Sequence, residues 1–352
     1  MSFFRFLLFP FSIVYFLITR LRNYLFDIGY TKAFQFEVKT IVVGNLSAGG
    51  TGKTPMIEYL IRLIKNKYKV ATLSRGYGRR TKGFLIAKEE HNSHLIGDEP
   101  RQFHLKFKEE ISVCVGEDRA LAIPEILYNK PDVEVILLDD AFQHRYIIPG
   151  INILLSDYNN VFYKDFILPV GNLRESRAGA RRADIVIITK CPGNISEENM
   201  LNIKFNCYKY IKKEIPVFFS AISYLKPVPV FEVYEKAFST NVMLFTGIGK
   251  SSYVEKFISE RYNLMQFVSF SDHYNYSIKD VEAIKNKFDK IPGEDKCLLT
   301  TEKDMVKLME LDLDDGLMEL PLFYLPIEMK ILHQKQFFDG LVMSYVSNLN
   351  FN

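Results

Sequence analysis

Gly49, Gly50 and Gly52 stand directly ahead of Lys53-Thr54-Pro55, and an apolar, β-branched run from Val38 to Val43 precedes them. Strand, glycine loop, Lys-Thr and helix is the context that a phosphate-binding loop requires. Glycines let successive backbone N–H groups turn inward around oxygens. The following helix adds partial positive charge at its N-terminus. In that frame Gly49, Gly50, Thr51, Gly52, Lys53 and Thr54 cradle the phosphates of a nucleotide. Lys53 reaches the β- and γ-phosphates, and the Thr54 hydroxyl holds Mg²⁺. The generic pattern has Gly at position 47, where this chain has Ser47. The plainer alternative is a glycine-rich turn that opens an ordinary helix.

Further along, Val133 to Leu138 is apolar and closes on Asp139-Asp140. A hydrophobic strand ending in carboxylates is the Walker B arrangement, in which one carboxylate holds Mg²⁺ at the carboxyl end of the sheet. Strand-end aspartates can also simply cap a turn. Gln143 and His144 follow in the same loop; either could donate to phosphate or sugar, or be satisfied within the loop. Arg75, Arg79, Arg80 and Lys82 form one basic cluster, and Arg174, Arg177, Arg181 and Arg182 another. Arginine's planar fork suits phosphate. A solvated charged face is the reading for Arg80, Lys82 and Arg182. Ile185 to Pro192 is a strand ending in Thr-Lys-Cys-Pro. Pro192 occupies the place where GTPases keep their guanine-reading Asp, so ATP is the expected nucleotide.

These groups need a parallel sheet to bring them together. Strands alternate with helical stretches such as Met56, Ile57, Leu60, Leu63 and Ile64, as an α/β fold requires. The chain has 352 residues, too many for one ordinary core. Hydrophobic residues at 48% and charged residues at 25% are globular proportions. A net charge of +3 does not by itself imply nucleic acid, and no interleaved aromatic platform accompanies the arginines. The four cysteines lack CxxC spacing, which reads as buried free thiols rather than a metal cluster.

Residues 6 to 19 carry no charge and are shorter than the ~20 residues of a spanning helix. Arg5 precedes them; Arg20 and Arg22 follow. A signal peptide lacks its small-residue cleavage site here, and a buried core helix remains possible. The favoured reading is a helix lying in a membrane interface, its apolar surface in the acyl region and its arginines at the headgroups. Arg5, Ser12 and Thr19 recur every seven residues on a narrow polar stripe. Pro10 would kink this helix or end its first turn.

Taken together, the motifs resemble the tetraacyldisaccharide 4′-kinases. Gly-Asn-x-x-x-Gly-Gly-Thr-Gly-Lys-Thr-Pro runs from Gly44 to Pro55, Ser-Arg-Gly-Tyr-Gly-Arg from Ser74 to Arg79, and Gly-Asp-Glu-Pro from Gly97 to Pro100. Asp-Asp-Gly-Phe-Gln-His appears as Asp139 to His144, with Ala141 in place of Gly. Pro-x-Gly-x-Leu-Arg-Glu spans Pro169 to Glu175. Thr-Gly-Ile-Gly (Thr246 to Gly249), Asp272-His273 and Thr-Glu-Lys-Asp (Thr301 to Asp304) complete the order. The resemblance implies transfer of the γ-phosphoryl of ATP to the 4′-hydroxyl of a tetraacylated glucosamine disaccharide 1-phosphate. The place would be the cytoplasmic face of an inner membrane. It further implies Asp98, supported by His273, as the proton acceptor, and Glu99 as an aid to Mg²⁺. Arg75 and Arg174 lie inside family motifs and are expected at substrate or transition-state phosphate.

The resemblance implies two α/β/α domains: a P-loop core with a mostly parallel sheet and a smaller C-terminal α/β domain, plus the membrane-associated helix. The expected division is residues 1–27 as anchor, 28–222 as core and 223–352 as the smaller domain. Lys226-Pro227-Val-Pro229 marks a linker within 223–235, strands lie near 242, 264, 297 and 321, and a C-terminal helix near 334–348 returns to pack on either domain. Thr301 and Asp304 have near-capping-box spacing. No obligate protein partner is evident. The main rival is a membrane-associated ATPase switch of the partitioning type, whose signature lysine is Ala48 here.

Overall fold

The computed structural model describes residues 7–231, 237–249, 251–272, 274–311 and 319–348. A large sheet forms from β1 (Lys39–Asn45), β2 (Val70–Ser74), β3 (Leu85–Ile86), β4 (Ser112–Val115), β5 (Val135–Asp139), β6 (Ile151–Asp157), β7 (Ile185–Thr189), β8 (Val217–Tyr224) and β14 (Ile327–Ile331). Its order is β14-β8-β7-β6-β1-β5-β2-β4-β3. Only the edge pairs β14/β8 and β3/β4 are antiparallel. β5 and β6 are buried along their whole length, the mark of a sheet covered on both faces.

Side-chain alternation along β1 assigns its residues to two cores. Ile41 and Val43 join Met56, Ile57, Leu60 and Ile61 of helix α2 (Lys53–Ile64). Val42 joins Ala122, Ile123 and Ile126 of α5 (Arg119–Asn129) on the opposite face. α3 (Ser93–Ile96) leads through Gly97 into α4 (Asp98–Phe107), whose Phe103 and Phe107 enter the α2 core. α6 (Glu197–Cys207) covers β6 and β7.

The second sheet has the order β11-β10-β12-β13-β9. It contains β9 (Val228–Pro229), β10 (Asn241–Thr246), β11 (Asn263–Ser269), β12 (Cys297–Thr301) and β13 (Leu322–Leu325). The helix α7 (Ser252–Ser259) covers one face; α8 (Ile278–Asp289) and α9 (Glu302–Leu308) cover the other. Both units are therefore α/β/α. The Lys226–Pro229 linker supplies β9, an antiparallel edge strand, where a proline is tolerated.

The chain then returns. β14 adds to β8, and α10 (Lys335–Ser347) buries Phe338, Val342 and Val346 against the α2 core. Within 223–352, then, the second sheet occupies 228–325, and the final strand and helix complete the larger unit. β14 (Ile-Glu-Met-Lys-Ile) alternates apolar and charged residues, the period-2 signal of a half-buried strand, although it was not among the expected strands. All four cysteines are free and buried.

Helix α1 (Phe9–Asp27) carries Pro10 at its start, where the missing N–H costs no helical hydrogen bond, and the helix continues past it rather than ending a turn there. No helix among the described residues is long and apolar enough to cross a membrane. Residues 1–6, with Arg5, lie outside the described residues.

Candidate active site

β1 and β5 are in register with Val43 opposite Asp139. Both strands therefore end level, and the loop after β1 meets the carboxylates after β5. Asp140 N–H donates to the Val43 carbonyl at 2.9 Å, which fixes that meeting. β6 lies on the other side of β1, so the loop emerges at the carboxyl end of a central strand, where parallel sheets bind ligands.

The loop is held from outside by its carbonyls. Asn45 Nδ2 donates to Ser47 O at 2.7 Å, Lys190 Nζ to Gly50 O at 2.5 Å and Thr189 Oγ1 to Thr51 O at 2.8 Å. Each peptide plane so tethered turns the next N–H the opposite way. Gly49 and Gly52 take φ of 106° and 86°, which the turn demands and L side chains resist. A Cβ at Gly49 or Gly50 would meet no protein atom within 4 Å, so this stretch is open rather than packed.

Lys53 opens α2 and places Nζ 3.6 Å from Asp140 Oδ1; Arg174 Nη1 approaches the same oxygen at 2.8 Å. Asp140 sits at φ 49°, a sparsely populated conformation that Asp tolerates better than most residues. Burial disfavours its charge, but Lys53 and Arg174 outweigh that and hold its carboxyl below the usual range. Asp139 is 1% exposed. Burial, then the nearby charge of Glu99, pushes its carboxyl well up, against the pull of Lys53. Its Oδ1 is buried without a hydrogen-bond partner among the described residues.

Asp98 and Glu99 occupy the first turn of α4, where negative charge suits the helix end. Gly97 ahead of them has φ 94°, and a Cβ there would lie 3.0 Å from backbone atoms of Gly76 and Tyr77. The Gly-Tyr-Gly loop and the Asp-Glu turn are thus packed backbone to backbone. Asp98, Glu99, Lys53, Thr54, Asp139, Asp140, Arg75, Gln143, His144 and Arg174 all line one cleft of about 1490 Å³. Arg75 is exposed on its rim. His273 lies outside the described residues.

Gln143 and His144 face the cleft with internal partners. Gln143 donates to Asn45 O at 2.9 Å and Glu175 Oε1 at 3.0 Å, and His144 Nε2 lies 3.1 Å from Glu117 O. Burial first, with nearby Arg119 adding to it, lowers the His144 pKa. Arg182, expected on a solvated face, instead pairs with Glu175 at 2.7 Å. Arg22, expected at headgroups, donates to Gln143 O at 3.0 Å.

Three contributors escaped the sequence reading. Arg119, buried at the start of α5, donates to Asp139 O at 3.3 Å. Lys190 braces the loop. Lys307 on α9 lies 3.1 Å from Asp98 Oδ2. No short-range spacing links any of them to the groups they touch.

The Thr-Glu-Lys-Asp and Thr-Gly-Ile-Gly motifs meet. Asp304 accepts from Thr246 Oγ1 at 2.7 Å, Gly247 N at 3.1 Å and Thr301 Oγ1 at 2.6 Å. Thr301 in turn caps α9. This is a structural tie at the carboxyl ends of β10 and β12.

A tethered glycine loop, a helix-opening lysine and a carboxylate pair at a parallel switch define a P-loop nucleotide-binding protein of the α/β class. More narrowly, a family model described as tetraacyldisaccharide-1-P 4′-kinase matches residues 4–346, and the chain belongs to that family. It is 42% identical over 351 residues to a tetraacyldisaccharide 4′-kinase of Flavobacterium johnsoniae, covering 98% of each chain. It is 40% identical over 356 residues to one of Bacteroides thetaiotaomicron, covering 96% of this chain and 92% of that protein. Among solved structures, an "apo" form of LpxK from Aquifex aeolicus in complex with ATP matches with a TM-score of 0.74 and 30% identity. That match covers 97% of this chain and 99% of the other.

Proposed function

We propose that this chain transfers the γ-phosphoryl group of ATP to the 4′-hydroxyl of a tetraacylated glucosamine disaccharide 1-phosphate, giving a lipid A precursor. One observation carries the reading: a single cleft runs from Lys53 and the carboxylates to Tyr15, Thr19 and Arg22 of α1. The nucleotide machinery and the apolar N-terminal helix share one chamber, which suits a phosphate donor and a lipid-borne acceptor.

The residues present fit Mg²⁺. No three His, Cys, Asp or Glu side chains converge as a complete metal centre among the described residues. Mg²⁺ typically takes only one or two carboxylates and completes its shell with phosphate and water. The unpartnered Asp139 Oδ1 suits that role. Thr54 and Asp139 would hold the ion, with Asp140 and Glu99 beside it as further negative charge. A bound Mg²⁺ would supply positive charge against the charge that develops on the phosphates.

The chain's own groups do the rest. Residues 49–54 bind the phosphates, with Lys53 pre-aimed by Asp140. Asp98, paired with His273 in this reading, accepts the proton of the attacking hydroxyl. Arg75 and Arg174 hold substrate phosphate, and Gln143 and His144 shape the acceptor side. α1 rests on the cytoplasmic face of an inner membrane. Residues 28–222, joined by β14 and α10, act as the kinase core, and the second sheet forms the opposite wall.

Full-length protein in mixed micelles, given labelled ATP, Mg²⁺ and the acylated disaccharide phosphate, should place label on the lipid. Lys53→Ala should lower that transfer by about 10²–10³-fold, the scale of losing one preorganised charge donor. Free phosphate unaffected by the lipid would instead support the ATPase switch and overturn the kinase reading.

A further inference from the structure

The proposed chemistry leaves the buried ammonium of Lys307 without a task. The Lys307 side chain is 6% exposed. Its ammonium lies 3.1 Å from Asp98 Oδ2 and donates to Tyr274 O at 2.9 Å. Tyr274 follows His273 in the chain. An ammonium in such a place is costly unless paired, and an apolar side chain would serve packing better.

Docking does not require it. Asp98, Gln102 and Lys106 recur every four residues and share one face of α4. Gln102 donates to Glu58 Oε1 of α2 at 2.9 Å. Lys106 pairs with Glu58 at 2.7 Å and with Glu302 of α9 at 2.5 Å. Just beyond α9, Glu310 accepts from both the backbone and the hydroxyl of Ser93 at 2.5 Å. The second unit is thus gripped on either side of Lys307 by other pairs. Among the described residues Lys307 joins the Asp98 carboxylate to the Tyr274 backbone, so one cation spans both places from which the proton-accepting pair is drawn.

We propose that Lys307 is a positioning residue for phosphoryl transfer: it holds the Asp98 carboxylate and the Tyr274 backbone in fixed relation. This rests on Asp98 being the proton acceptor. The lysine acts through Asp98 and touches no substrate. Its compact charge with three donors suits two acceptors of different kinds, a carboxylate and a carbonyl.

A double-mutant cycle on the full-length enzyme tests it. Lys307→Met should lower kcat about tenfold to a hundredfold, within the range of general-base effects, with KM for ATP within about twofold. Lys307→Arg should recover part of the loss. Lys307→Gln, which keeps a donor without the charge, should resemble Lys307→Met and serves if that variant does not fold. In an Asp98→Asn background, Lys307→Met should cost less than about twofold more, since its partner is already disabled. Equal losses in both backgrounds would show a merely structural lysine and overturn the proposal. So would an unchanged kcat in Lys307→Met while Asp98→Asn is inactive, and that result would leave the reading of Asp98 intact. An Asp98→Asn enzyme that turns over normally would remove the proton-acceptor reading itself, and the positioning role with it.

Discussion

Asp304 illustrates how a carboxylate inside a recurrent motif can be structural. It is 1% exposed and accepts from two threonine hydroxyls and a backbone N–H. Removing one oxygen's acceptor capacity leaves buried donors without partners, at about 1–3 kcal/mol for each unsatisfied group. Asp304→Asn should therefore lower stability by that order in urea unfolding while leaving the P-loop side chains in place. The site carboxylates behave differently. Asp139 and Asp140 are adjacent in sequence, yet Lys53 and Arg174 hold one carboxyl down while burial and Glu99 drive the other up. The two differ because the strand ends between them: Asp139 still lies in β5, and Asp140 turns out at positive φ.

At the scale of elements, α1 is amphipathic with its faces reversed. Ser12 Oγ donates to Ile167 O at 3.2 Å, Tyr15 Oη to Arg174 O at 2.8 Å and Asn23 Nδ2 to Glu175 Oε2 at 2.7 Å. Ser12 of the expected polar stripe, with Tyr15 and Asn23, thus grips the protein, whereas the Thr19 hydroxyl donates to its own helix backbone. Leu7, Phe11, Val14, Leu17, Ile18 and Leu21 are 56–65% exposed. An apolar patch of this kind on a helix marks a membrane or partner surface. Replacing Leu17 and Leu21 together by Asp should sharply reduce sedimentation with phospholipid vesicles and raise KM for the lipid, with kcat for saturating short-chain acceptor nearly unchanged. The helix backbone would survive, because neither side chain packs inward.

Over the whole molecule, two mostly parallel sheets contribute the ends of their strands to one cleft, and the chain visits the first, the second and then the first again. α10 seals the core beneath the P-loop helix: Phe338 is fully buried against Phe218 and Tyr59, with ring centroids 5.2 and 5.8 Å away. Phe338→Ala should cost about 3–5 kcal/mol by the lost burial and the cavity left behind. The check is a lowered denaturation midpoint, with KM for ATP unchanged in the protein that remains folded. The consequence is that the last helix stabilises the kinase core although it is the farthest element from the P-loop in sequence.

By itself the sequence determined the phosphate loop, the acid-tipped strand, the Thr-Lys strand and the α/β class. Phosphate binding is built from consecutive backbone groups, so residues 44–55 carry their geometry locally, and buried parallel strands such as Val135–Asp139 read as unbroken apolar runs. The polar contacts that seat α1 on the protein, the pairing of Ile327–Ile331 with β8, Arg119 behind Asp139 and Lys307 beside Asp98 were decided only in three dimensions. Each depends on a contact between distant segments: Ile327–Ile331 alternates as a strand does, but nothing in its own residues names its partner. Hydrophobic spacing reports which face of a helix is greasy; only the packed fold decides whether that face is turned in or out.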